Sequence, residues 1–177
     1  MKRRTVKVKV YLVDLTASDG SRRALDPDLI PSKDSVTNHL NDIFAKQINA
    51  WFDVEIGKDK DPLTQQEINF LADQRTDGDN SFTIAYTSIS LDQQEVLSKT
   101  GPGVDCDIRV FMLAATSVFA PDGAGYGATS RDHATCWVAG QKTSVKYDSP
   151  ENVLSSIGHE IGHVLADYGH PDDPSAP

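Results

Sequence analysis

Long apolar runs are missing from this sequence: none approaches the ~20 residues of a membrane-crossing helix, so no membrane association is expected. Positive charge is short as well, with 17 Lys and Arg against 26 Asp and Glu, and the formal charge of −9 argues against nucleic acid as a partner. Cysteine is scarce. The two present, Cys106 and Cys136, do not form a C-x-x-C pair, which counts against a thiolate metal site and leaves open both a disulfide and two buried free thiols. The Gly-rich stretch A-P-D-G-A-G-Y-G-A-T-S-R-D-H lacks the strand-then-helix setting of a phosphate loop, so nucleotide binding is not expected. Internal repeats and low-complexity tracts are absent. The basic start M-K-R-R does not lead into a signal peptide, because Lys7, Lys9 and Asp14 interrupt the would-be apolar region. A secreted location, the leaning here, would need a leader outside this sequence.

What is present fits one soluble domain over residues 1–177, with 38% hydrophobic and 24% charged residues. Val6 to Leu15 alternates as a strand, and a breaker-rich loop follows. Val36, Leu40, Ile43, Phe44, Ile48 and Trp51 recur at helical spacing, which predicts a long helix from Lys33 to Phe52 packed on a sheet. A short strand from Phe52 to Ile56 and a helical turn from Thr64 to Leu71 come next. In D-Q-R-T-D-G-D-N-S-F, Asp77, Asp79 and Asn80 offer oxygen ligands for a structural calcium ion, but their spacing is not that of a D-x-D-x-D-G loop. An Asp-Gly turn leading into a strand from Ser81 to Ser88 is the favoured reading. Leu91 to Lys99 reads as a short helix, Cys106 to Ala115 as a buried central strand despite Asp107 and Arg109, and His133 to Ala139 as the last strand.

The chemistry concentrates in S-P-E-N-V-L-S-S-I-G-H-E-I-G-H-V-L-A-D-Y-G-H-P, residues Ser149 to Pro171. Ser149 suits an N-cap, Pro150 the first helical position and Glu151 the first turn. Val153, Ile157, Ile161, Val164 and Leu165 form one apolar stripe, and Gly169 and Pro171 end the helix. Within it, His159, Glu160 and His163 spell H-E-x-x-H. Residues four apart lie one turn along a helix, so the two imidazoles can converge on one ion and supply half of a tetrahedral zinc site. Glu160 stands beside them, placed to take a proton from an attacking water. The bland alternative is a pair of surface histidines on an amphipathic helix.

A third ligand must come from beyond the helix end. His170 follows His163 by seven residues, which in a continuous helix is about 10 Å along the axis, so the chain has to turn back through Asp167, Tyr168 and Gly169. Asp167 is the rival ligand if the helix continues, and otherwise a turn-maker or a partner for a ligand histidine. Tyr168 is a candidate oxyanion stabiliser or a packing residue. His133 and His39 read as structural, and Gly158 and Gly162 as marks of a close approach by another backbone.

H-E-I-G-H-V-L-A-D-Y-G-H resembles the H-E-x-x-H-x-x-G-x-x-H motif of metzincin zinc metallopeptidases. It departs from that pattern at Ala166, where the family has Gly, and in His170, which arrives one residue late. Metzincins also carry a Met-containing turn downstream of the third ligand, whereas the methionines here are Met1 and Met112, and the expectation is a catalytic domain truncated after the third ligand. The resemblance implies an α+β fold: a mixed, mostly parallel twisted sheet with a long backing helix and an active-site helix, like a metzincin N-terminal subdomain. It implies an edge strand within Gly123 to Arg131 that pairs with extended substrate, for which a surface loop is the alternative. It further implies a monomeric zinc endopeptidase acting on protein or peptide, with His159, His163 and His170 as ligands and Glu160 as general base. The alternatives are a non-catalytic zinc-binding interaction module and a zinc hydrolase of non-peptide substrates.

Overall fold

The computed structural model describes residues 3–16, 22–57, 81–83, 105–120, 123–130, 134–143 and 147–166. Strand β1 (Arg4–Val13) is followed by the short β2 (Leu15–Thr16) and β3 (Arg22–Arg23), a 3-10 turn at Pro27–Leu29, helix α1 (Lys33–Phe44) and β4 (Ala50–Gly57). Then come β5 (Ser81–Thr83), β6 (Ile108–Leu113), β7 (Ser117–Ala120), β8 (Gly123–Gly125), β9 (Gly127–Ser130), β10 (Thr135–Ala139) and helix α2 (Pro150–Ala166). Among the described residues, five strands form one sheet in the order β4-β1-β6-β10-β9, parallel throughout except for the antiparallel edge β9. The fold is therefore α+β with a mixed, mostly parallel sheet, as expected.

Pairing register assigns the two faces. Phe52 lies beside Val6, Val54 beside Val8, Val10 beside Val110 and Val110 beside Cys136, so these β-branched and apolar side chains share one face. Both helices cover it. The ring of Phe44 on α1 lies 6.0 Å from that of Phe52, and Thr129 of β9, opposite Cys136, meets Glu160 of α2. The other face carries an aromatic ladder, Tyr11, Phe111 and Trp137, with centroid spacings of 5.2 and 6.3 Å across three adjacent strands. As the continuous apolar run predicts, β6 is central and buried over its whole length. Its one charge, Arg109, is 1% exposed; the guanidinium donates to the Tyr11 hydroxyl at 3.2 Å and pairs with Asp105 at 3.4 Å.

Several expectations need correction. The helix predicted from Lys33 to Phe52 stops at Phe44, and Asn49, with φ 51°, turns the chain into β4. From Ala50 the burial alternates: Ala50, Phe52 and Val54 are buried, while Trp51, Asp53 and Glu55 are exposed. Trp51 is thus an outward strand residue, with the Arg3 guanidinium 4.5 Å above its ring. Asn41 couples the two elements by accepting the Phe52 N–H at 2.9 Å. Of the two states open for the cysteines, the free one is observed: Cys106 and Cys136 are both buried thiols. The span Gly123 to Arg131 is not one edge, because β8 pairs with β7 in a separate sheet, β5-β7-β8, and only β9 borders the main one. The helical readings for Thr64 to Leu71 and Leu91 to Lys99, and the calcium candidates Asp77, Asp79 and Asn80, lie outside the described residues. Among the described residues, no helix is long and apolar enough to cross a membrane.

Candidate metal centre

Helix α2 begins as its sequence dictates. Pro150 takes the first position, and the Asn152 side-chain oxygen reaches back to accept the Ser149 N–H at 3.2 Å and its hydroxyl at 3.0 Å, much as the acidic residue of a capping box does. Hydrogen bonds from its own backbone N–H and from Ser149 hold the Glu151 carboxyl below its usual range. Val153, Ile157 and Ile161 are fully buried against the sheet, with Val164 and Leu165 packed at the margin. Gly158 and Gly162 face side chains of α1, not another backbone. A Cβ at 158 would sit 3.0 Å from His39 Nε2 and 3.3 Å from Ile43 Cδ1, and one at 162 would sit 3.6 Å from Phe44 Cζ.

With that stripe buried, the next face of α2 brings His159 and His163 together. Their Nε2 atoms are 3.0 Å apart, and their rings stand edge to face at 89° with centroids 4.6 Å apart. Two imidazole nitrogens bound to one tetrahedral zinc are ~3.3 Å apart, so this spacing fits a shared ion with little movement. His159 is exposed and His163 half-buried, leaving the pair open to one side.

Glu160, between them in sequence, points elsewhere: it is only 5% exposed and wedged under the edge strand β9. The Thr129 hydroxyl lies 2.5 Å from its Oε2 and 3.1 Å from its backbone carbonyl. Gly127, two residues earlier on the same face of β9, leaves the carboxylate its space: a Cβ there would lie 2.7 and 2.8 Å from Glu160 Cγ and Cδ. Behind Thr129, burial pushes the Cys136 thiol up, and the nearby Glu160 charge pushes it further the same way. Neither Thr129 nor Gly127 stands out in the sequence. Small residues in this stretch are expected to admit a substrate backbone, but at Gly127 the group admitted is the side chain of Glu160.

In fold, the chain is similar to archaemetzincin. The crystal structure of archaemetzincin from Methanopyrus kandleri superposes with a TM-score of 0.53 at 12% identity, over 97% of this chain and 78% of that one. The archaemetzincin from Archaeoglobus fulgidus, solved with malonate, aligns at 13% identity over 91% and 77% of the two chains with a TM-score of 0.38. No family model matches the sequence, and no curated protein is similar to it.

On this archaemetzincin-like fold, the residues expected to form the site divide into two groups. His159 and His163 face each other on α2, while the Glu160 carboxylate is turned into the α2–β9 junction. His170, Asp167, Tyr168 and His133 lie outside the described residues, among which no group of three metal-binding side chains occurs. His39 stays in the scaffold, its Nε2 buried against Gly158 and without a hydrogen-bond partner among the described residues.

Proposed function

We propose that this chain is a zinc-dependent endopeptidase, with His159, His163 and His170 as metal ligands and Glu160 as general base. The observation that carries the proposal is the convergence of the His159 and His163 Nε2 atoms to 3.0 Å on one face of α2, with the Glu160 carboxylate held in the adjoining junction with the edge strand. The H-E-x-x-H match and an archaemetzincin-like fold support it independently of each other.

Zinc, when bound, supplies an acidified water and a polarised substrate carbonyl. The chain's own residues do the rest. His159 and His163 would hold the ion through their Nε2 atoms. Glu160 takes the proton from the attacking water and returns it to the leaving amine, so the carboxylate ends the cycle as it began. Burial at 5% exposure limits competing solvation of that carboxylate. Among the described residues β9 ends the sheet, and an extended polypeptide pairing with it would gain main-chain hydrogen bonds, which fits a protein or peptide substrate.

The test is hydrolysis of casein by the zinc-loaded chain, with and without a chelator, alongside metal analysis. Chelator-sensitive turnover that disappears in Glu160→Gln while zinc content holds is the expected result. Zinc without turnover in the wild type would overturn the proposal in favour of a non-catalytic zinc-binding module. Full turnover in Glu160→Gln would remove Glu160 from the role of base.

A further inference from the structure

We propose that Thr129 is a positioning residue for Glu160: its hydroxyl, on the inner face of the edge strand, fixes where the carboxylate stands. The inference rests on the reading of Glu160 as general base and extends it to the strand opposite. Three observations combine. The hydroxyl-to-carboxylate distance of 2.5 Å is that of a charge-assisted hydrogen bond. Glu160 is 5% exposed, so water competes little for that bond. Gly127, the neighbouring inner-face residue of β9, has no side chain and leaves the Glu160 stem its space, so both inward positions of the strand around Ala128 are given over to one carboxylate.

The same hydroxyl lies 3.1 Å from the Glu160 carbonyl oxygen and 3.8 Å from Cys136 Sγ. A single proton serves the nearest and most negative acceptor, Oε2, while the other two atoms confine the rotor. The hydroxyl therefore ties α2 to the edge strand through the base itself. A substrate strand pairing with β9 would meet the carboxylate at a height set by the register of β9 on β10, where Thr129 stands opposite Cys136. Thr129 touches neither substrate nor metal in this account; it acts through Glu160.

The experiment compares wild type, Thr129→Val and Thr129→Ser. Thr129→Val keeps the shape and the strand preference and removes the donor, and Thr129→Ser keeps the donor. On zinc-loaded protein, Thr129→Val is expected to lower kcat on casein by about 10- to 100-fold, with unchanged zinc content. KM should stay within about twofold, as for a group acting on the chemical step. Thr129→Ser should recover most of the loss. A readout independent of turnover is the Thr129 hydroxyl proton in NMR spectra of the zinc-free chain, expected to be protected from exchange and to move in Glu160→Gln. Wild-type kcat in Thr129→Val, or a Thr129→Ser variant as impaired as Thr129→Val, would overturn the proposal, and so would a freely exchanging hydroxyl. If the wild type hydrolyses nothing, the peptidase reading falls, and the hydroxyl proton still decides whether Thr129 seats the carboxylate.

Discussion

The Nε2 atoms of His159 and His163 face each other across 3.0 Å from successive turns of α2. At that distance one Nε2 can donate to the other, whereas a shared cation would use both lone pairs. Zinc at about a hundredfold excess over its dissociation constant should therefore stabilise the chain by about 2.7 kcal/mol. Thermal unfolding with and without zinc measures this. His159→Ala and His163→Ala should each abolish most of the shift, and a shift that survives both would put the ion somewhere else.

Gly127 faces the Glu160 stem too closely for any side chain, with Cγ and Cδ at 2.7 and 2.8 Å from the position of a Cβ. Gly127→Ala must move the carboxylate or lift β9 off the helix. Overpacking of this kind costs roughly 1–3 kcal/mol, and a displaced base costs turnover as well. Urea unfolding together with chelator-sensitive casein hydrolysis should show both losses; unchanged values for the two would mean that the α2–β9 junction has room for a methyl group.

The two glycines of α2 separate helix propensity from packing. At Gly162 an added methyl meets Phe44 at ordinary contact distance, 3.6 Å, so Gly162→Ala should stabilise the chain by up to about 1 kcal/mol. At Gly158 the methyl meets His39 at 3.0 Å and Ile43 at 3.3 Å, and the strain should cancel that gain. Denaturant midpoints of the two variants rank them directly. A Gly158→Ala variant more stable than Gly162→Ala would contradict the α1–α2 contact.

Local patterns made part of this molecule legible in its sequence. The α2 helix has its start signals, its apolar stripe and its paired histidines within one short stretch, so each supports the others. Strand β6 could be read from a continuous apolar run because it is buried on both faces. The end of α1 could not. Ile48 and Trp51 extend its helical spacing, yet they belong to the turn and to an alternating strand, and the left-handed Asn49 between them carries no strong signal. Thr129 was invisible for another reason: its contact with Glu160 bridges 31 residues and depends on which strand forms the edge and in what register. Pairing of that kind is a property of the folded sheet. The same holds for Gly127, whose small size suggests a close approach but not by what.

Burial on the helix-covered face also sets how the chain should respond to alkali. Desolvation holds the Cys136 thiol above its ordinary value of 9.0, with the Glu160 charge adding to the effect, and burial likewise raises the Tyr147 phenol above 10.0. Because the folded values lie above the unfolded ones, the folded state keeps protons that the unfolded chain gives up. This contribution to stability is complete below the unfolded values and is lost as pH rises through the folded ones. Urea midpoints should accordingly hold up to about pH 8 and decline above about pH 9. Native Cys136 should resist alkylation at about pH 8 and react once the chain is unfolded. Cys136→Ala should lower stability at neutral pH through the cavity it leaves, yet decline less steeply in alkali. A wild-type midpoint that stays level to about pH 10, or a native Cys136 that alkylates readily, would show this face to be wetter than its burial implies.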